Sequence, residues 1–78
     1  MKYIMIEGCF PVLFHESINH IDVAQALCGD PTLVTSAAYC KWDKATGRMV
    51  PYGESTGLKL TPAAHDEYLL TLYVTGNN

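Results

Sequence analysis

Residues 33–52 read LVTSAAYCKWDKATGRMVPY, and this stretch predicts the hairpin around which the rest of the fold is organised. Its first part, residues 33–42, predicts a long strand. Residues 43–48 (DKATGR) resemble a type I turn closed by a left-handed glycine, a common connection between antiparallel strands. Met49 and Val50 then return as the partner strand. We therefore expect an antiparallel sheet.

A second hairpin is predicted at the N-terminal end of the sequence. Residues 2–7 alternate as a strand does, and Gly8 interrupts them. Tyr3, Met5 and Glu7 lie on one side of this strand, and Ile4 and Ile6 lie on the other. Residues 10–14 (FPVLF) predict the next strand. Pro11 has no backbone N–H to donate, so we expect it at a strand end, an edge or a bulge.

A short helix is predicted between the two hairpins. Asn19 suits the N-cap position, Asp22 stands where a capping box favours an acid, and Gly29 suits the residue after the last turn. The expected apolar stripe consists of Ile21, Ala24, Leu27 and Cys28. A helix of about two and a half turns is not stable alone, so it must pack against the sheet.

The last third of the sequence leaves an alternative open. Residues 56–60 predict a further strand, with Leu58 and Leu60 facing inward. Thr61 followed by Pro62 is typical of a helix start, and acidic residues follow near its positive end. Residues 70–75 nevertheless alternate as a strand does. The start signals favour a helix over residues 68–75, and the alternation leaves a strand possible.

Together these elements predict one α+β domain that spans residues 1–78, in the order β-β-α-β-β-(β)-α. We expect an antiparallel sheet of four to five strands, with two helices packed on one face. The chain has 78 residues, of which 49% are hydrophobic and 17% charged. A chain this short buries only about 60% of its unfolded surface. The apolar excess therefore suggests that a second chain, in a homodimer or another complex, covers part of the surface.

Charge and cysteine content narrow the class of partner and the compartment. The net charge is −3, and basic side chains outnumber acidic ones only in residues 41–60. Nucleic acid is therefore a disfavoured partner, because binding it depends on neutralising phosphates. Three cysteines without a secretory signal favour a reducing cytoplasm. No stretch approaches the length of a membrane span, so no membrane association is expected.

The motifs that suggest catalysis or metal binding are incomplete. Residues 53–57 (GESTG) match the G-x-S-x-G pattern of serine hydrolases, but that site needs a large parallel sheet and an acid before the histidine. Ser55 is better explained as part of a turn, in which it makes a local backbone hydrogen bond. Cys40 is expected to be an exposed thiol if Tyr39 faces the core. The candidate metal ligands lack the close pairs typical of zinc sites: Cys9, Cys28, Cys40, His15, His20 and His65. We expect no enzyme activity and no cofactor.

The 39–52 hairpin is the candidate binding surface. It combines aromatic and basic side chains, which anchor protein interfaces and can also stack on bases. The candidate partner-binding residues are Tyr39, Lys41, Trp42, Lys44, Arg48 and Tyr52. Three interpretations of this set stay open: core packing with a solvated basic rim, a protein interface, and a nucleic-acid interface.

The order of parts resembles that of small proteins encoded by phages and prophages. The resemblance covers most of the chain and includes the N-terminal hairpin, the helix around residues 22–24, YGES at 52–55 and DEYLL at 66–70. Such proteins often act by binding a host component, as anti-CRISPR proteins and other defence inhibitors do. The resemblance implies a non-enzymatic inhibitor of a host complex such as a CRISPR effector, located in the host cytoplasm. The alternative is a nucleic-acid-binding accessory protein that uses the 39–52 hairpin.

Overall fold

A computed structural model describes residues 1–76 as one antiparallel sheet with two helices. The strands are β1 (Lys2–Ile6), β2 (Phe10–Phe14), β3 (Val34–Asp43) and β4 (Arg48–Tyr52), and they lie in the order β2-β1-β3-β4. The helices are α1 (His20–Cys28), which precedes a short 3-10 turn at Pro31–Leu33, and α2 (Asp66–Thr75). This architecture confirms the predicted α+β class and its antiparallel sheet, with four strands.

Both predicted hairpins form, because local sequence sets their turns. In the central hairpin, Gly47 has a φ of 68° and its N–H donates to the carbonyl of Asp43 at 2.8 Å. The carboxylate of Asp43 also accepts hydrogen bonds from Ala45 N–H and Thr46 Oγ1, each at 3.0 Å. Glycine adopts this left-handed conformation without the steric cost that other residues meet, so Gly47 favours this turn. The turn sets the register in which β3 meets β4.

The helices lie on opposite faces of the sheet, whereas the sequence interpretation placed them on one face. One buried cluster joins Leu70 of α2 to strand residues that include Tyr3 and Met5. The other joins Ala24 of α1 to Ile4 and its neighbours. Successive strand residues point to opposite faces, and the central part of β1 is apolar on both. Each face of the sheet is therefore buried by a different helix, α2 on one and α1 on the other.

Helix α1 has the predicted ends but a different buried side. Gly29 follows it with a φ of 69° and donates its N–H to Gln25 O at 3.0 Å. Only His20 and Ala24 are buried. The predicted stripe residues Ile21 and Leu27 are 37% and 60% exposed, so that part of the prediction is wrong. The ring of His20 is hydrogen-bonded to the carbonyl of Ala38 on β3, and this contact sets how the helix is rotated on the sheet.

The segment after β4 contains one helix and no fifth strand within residues 1–76. Residues 56–60 form a tight turn between Ser55 and Leu60, which exchange backbone hydrogen bonds of 2.8 and 3.1 Å. The predicted strand there is wrong, because Lys59 takes a φ of 57° and folds the chain back. Residues 68–75 are helical, as the start signals favoured, but α2 begins at Asp66 rather than at Pro62, which Thr61 was expected to cap.

The late start of α2 has a tertiary cause. The carboxylate of Asp66 accepts a hydrogen bond from Tyr3 Oη at 2.5 Å and another from Ala63 N–H at 2.9 Å. Both Tyr3 and Asp66 are almost fully buried. These contacts hold the first turn of α2 against β1, so the preceding residues cross to the helix as an irregular connection.

Candidate functional site

The candidate residues of the 39–52 hairpin do not share one face. Tyr39, Lys41 and Tyr52 lie on the side that α1 covers, which follows from the strand register and from ring contacts with α1. Trp42 is 44% exposed and lies on the other side, because it pairs with Met49 of the α2-side cluster. Lys44 occupies the exposed turn.

Arg48 is also separated from Tyr39, Lys41 and Tyr52. Its guanidinium Nη1 lies 3.1 Å from Glu67 Oε2, so it joins the hairpin to α2. The binding surface predicted from the hairpin is therefore divided between two faces, and three of its six residues remain together on the α1 side.

A row of side chains crosses all four strands on that side. Lys2 pairs with Phe14 in one direction and with Tyr39 in the other, and Tyr39 pairs with Tyr52. The rings of Tyr39 and Tyr52 are stacked, with their centroids 5.6 Å apart. The ring of His20 stands edge-on to Phe14 and to Tyr39, at centroid distances of 5.6 and 5.9 Å. We call Phe14, His20, Tyr39 and Tyr52 the aromatic row.

Two lysines flank the aromatic row. Lys2 Nζ lies 5.6 Å from the ring centroid of Tyr39, and Lys41 Nζ lies 5.4 Å from that of Tyr52. Both distances are within the range of a cation–π attraction. Sequence reasoning missed Lys2, and it considered His20 only as a metal ligand and not as part of this surface. The alternation of residues 2–7 places Lys2 on the side of Ile4, but its neighbours across the sheet depend on strand register.

A surface cavity of about 290 Å³ opens between the start of α1 and the turn after β4. Its lining includes Lys2, Asn19, His20, Tyr39 and Glu54. The aromatic row therefore leads directly into a polar cavity. Glu54 is exposed at this cavity, whereas Lys2 and His20 are 9% and 6% exposed.

The buried ring of His20 has a defined tautomer. Its Nε2 lies 2.8 Å from Ala38 O, and a carbonyl oxygen only accepts hydrogen bonds, so Nε2 carries the hydrogen. Burial lowers the pKa of His20 below its ordinary value of 6.5, the hydrogen bond to Ala38 opposes this, and the charge of Lys2 lowers it further. The ring is therefore neutral at pH 7, and its Nδ1 is an acceptor.

Lys2 brings a positive charge into this largely buried position. Its Nζ donates one hydrogen bond to Ile18 O at 3.0 Å. Within residues 1–76 the ion pairs join the amino group of Met1 to Glu16 and Arg48 to Glu67. The ammonium of Lys2 thus has no carboxylate partner in the described part of the chain.

Ser55 and Cys40, the two residues considered for catalysis, are both buried. Ser55 is 1% exposed, and its Oγ accepts a weak hydrogen bond from Leu58 N–H at 3.4 Å, which confirms the turn interpretation. Cys40 is also 1% exposed, so the expected exposed thiol is wrong, and burial raises its pKa. No group of three His, Cys, Asp or Glu side chains that could hold a metal ion occurs in residues 1–76.

Comparison of the chain with protein-family models, with curated proteins and with solved structures gives no match. Within the described residues, no helix has the length and apolar character that crossing a membrane requires. The geometry of the aromatic row and its cavity is therefore the basis for a functional proposal.

Proposed function

We propose that this protein is a non-enzymatic protein-binding module whose contact surface is the aromatic row with Lys2 and Lys41. The observation that carries this proposal is the position of Tyr52. Its side chain is 43% exposed, yet it is stacked on Tyr39, which is itself held by His20. Aromatic side chains that are already rigid lose little entropy on binding and are frequent hot spots of protein interfaces.

The β4 edge of the sheet supports contact through a face rather than by strand addition. The N–H of Cys40 donates to Met1 O and therefore points toward β1, away from β4. Pro51 pairs with Cys40 across the two strands, so the nitrogen of Pro51 points to the outer edge of the sheet. Proline has no hydrogen there to offer. The other outward amide, Met49 N–H, donates to Thr71 Oγ1 at 3.0 Å. This edge therefore offers an incoming strand no free donor at positions 49 and 51.

Pro11 masks one position of the β2 edge in a similar way. The carbonyl of Met5 accepts a hydrogen bond from Thr35 Oγ1 and so faces β3. Its partner on β2 is Pro11, whose nitrogen therefore faces solvent. Prolines on edge strands are a common protection against unwanted strand pairing. A partner is therefore more favourably bound at the exposed aromatic row than at either edge.

The class of partner in this proposal is supported by the resemblance found in the sequence. The resemblance to phage-encoded inhibitors favours a component of a host complex, such as a CRISPR effector. The cysteines Cys9, Cys28 and Cys40 are all free, which favours a reducing cytoplasm as the location. Association of two copies through the aromatic row would give a homodimer, and light scattering across a concentration series measures it.

Affinity capture with matched variants tests the binding proposal. Tyr52→Ala removes the exposed ring of the aromatic row, and Tyr68→Ala removes a ring that is 65% exposed on α2. We expect the unchanged protein and Tyr68→Ala to capture the same host protein from bacterial lysate, and Tyr52→Ala to lose it. Absence of any captured protein at micromolar bait, or equal capture by both variants, would contradict the proposal.

A nucleic-acid-binding accessory function is the second candidate. It is supported by the exposed Tyr52 and the nearby Lys41, because an aromatic platform with adjacent cations can stack on single-stranded bases. A gel shift with single-stranded DNA at low salt tests it. Binding through phosphates must weaken as salt rises, so a salt-independent shift, or none, would rule this function out.

A further inference from the structure

We propose that the cavity between the start of α1 and the turn after β4 binds a carboxylate from an acidic segment of the partner protein. This inference rests on the proposed binding function and specifies the chemistry of the partner. It is carried by the ammonium of Lys2, which forms no ion pair among residues 1–76, and by the start of α1, which has no side-chain cap. Both lie at the same cavity.

The positive charge belongs to Lys2. Its side chain lines the cavity, and its ammonium has three N–H donors, of which one is given to Ile18 O. An ammonium whose remaining donors face a cavity attracts an opposite charge. A carboxylate placed in the cavity would supply both an opposite charge and acceptors for the remaining donors.

The start of α1 supplies further donors. Asn19 is the N-cap residue, but its side chain accepts no hydrogen bond from the first turn and instead donates from Nδ2 to Asp22 Oδ2 at 3.3 Å. The backbone N–H groups of His20 and Ile21 have no acceptor among residues 1–76. Uncapped amides at a helix start favour an anion.

The carboxylate of Glu54 at the cavity favours one class of anionic partner over another. Glu54 lines the cavity, and the chain as a whole carries a net charge of −3. A nucleic acid carries a phosphate at every nucleotide and would place several of them near Glu54, whereas a flexible acidic peptide can place one carboxylate beside Lys2 and turn its other side chains to solvent. A single carboxylate needs only the room beside Lys2, and an apolar neighbour on the same peptide can reach Tyr52. An acidic protein segment is therefore the better match.

Titration of isotope-labelled protein with a hexaglutamate peptide, followed by NMR at low ionic strength, tests this site. We expect saturable shifts of the His20 and Ile21 amides. We also expect the pKa of the His20 ring to rise when the peptide binds, because a nearby carboxylate stabilises the protonated ring. The carboxylates of Glu54 and Asp22 are present in both states, so the change in pKa on binding reports the peptide.

Three variants make the test specific. Lys2→Met should weaken hexaglutamate binding by about tenfold or more, because a charge-assisted hydrogen bond is lost. Lys44→Met changes the charge equally in the exposed turn and should bind as the unchanged protein does. Glu54→Gln should tighten binding by about threefold, because it removes an exposed like charge. Glu54 is exposed, so Glu54→Gln should fold normally. This variant therefore still tests the site if Lys2→Met does not fold.

The outcomes separate this inference from the proposed function. The inference is overturned if binding does not saturate, if Lys2→Met and Lys44→Met behave alike, or if oligothymidylate shifts the same amides more strongly than hexaglutamate. Failure of hexaglutamate together with Tyr52-dependent capture of a host protein overturns the carboxylate site and leaves the binding function standing. Lys2-dependent hexaglutamate binding without any such capture supports the site and contradicts the proposed function.

Discussion

Removal of a single hydroxyl group, in the variant Tyr3→Phe, should destabilise the whole protein. Tyr3 Oη donates to Asp66 Oδ2 at 2.5 Å, and the two residues are 0% and 2% exposed. Hydrogen bonds to charged groups contribute about 1.5–3 kcal/mol. Asp66 would keep only the hydrogen bond from Ala63 to this oxygen, in a buried position. We therefore expect a loss in the upper part of that range, about 2–3 kcal/mol.

Chemical and thermal denaturation followed by circular dichroism measure this loss. A chain of this length is stable by about 4–12 kcal/mol, so the change is a large fraction of the total. The midpoint of thermal unfolding should fall by about 10–20 °C, while the urea m-value stays constant. Tyr73→Phe is the matched control, because Tyr73 is 61% exposed. A loss of less than about 1 kcal/mol for Tyr3→Phe would refute the reasoning.

Alkaline pH provides an independent check on the same contact. Burial raises the pKa of Tyr3 above its ordinary value of 10, and the hydrogen bond to Asp66 adds to this effect. Above pH 10 the unfolded chain loses this proton while the folded protein keeps it, so the free energy of unfolding should fall as the pH rises. Tyr3→Phe should show a shallower fall. An identical pH profile for the variant would contradict the assignment.

Three further predictions concern the α1 side, the central turn and the sheet edge. Burial lowers the pKa of His20 below 6.5, so on acidification the unfolded chain takes up this proton before the folded protein does. The free energy of unfolding should therefore fall as the pH decreases through 6.5. Urea titrations over a pH series should show a smaller fall for His20→Gln. Gly47→Ala, at a φ of 68°, should lower stability by about 1–2 kcal/mol in the same denaturation assay, and Gly57→Ala, where φ is not positive, should lower it less. Pro51→Val restores an outward N–H on β4 and should increase self-association in light scattering; an unchanged mass would show that the proline does not protect this edge.

Local signals made the turns and the helix ends predictable. Gly47 closes the central turn and Gly29 ends α1 through contacts within a few residues, so residue type alone specifies the backbone. The helix start predicted at Thr61 and Pro62 is wrong, because the contact that holds the first turn of α2 joins Asp66 to Tyr3 across most of the chain.

The candidate site required tertiary information for the same reason. Tyr39 and Tyr52 were identified by residue type, as aromatic side chains of the predicted hairpin, and the structure shows that they pair. Lys2 joins them only through the β1–β3 register, and His20 only through the docking of α1 on β3. The packing of helices on both faces of the sheet had a signal in the sequence, since residues 3–6 (YIMI) are apolar on both sides of an alternating strand.

The hydrogen bond between Met49 N–H and Thr71 Oγ1 gives one amide a diagnostic role. Met49 directs its N–H away from the sheet, so no strand protects this hydrogen from exchange with deuterated solvent. Its only acceptor in the described chain belongs to α2, and Thr71 is itself fixed by donating to Glu67 O at 2.7 Å. The exchange rate of this single amide therefore measures how often α2 detaches from β4 while the rest of the protein remains folded.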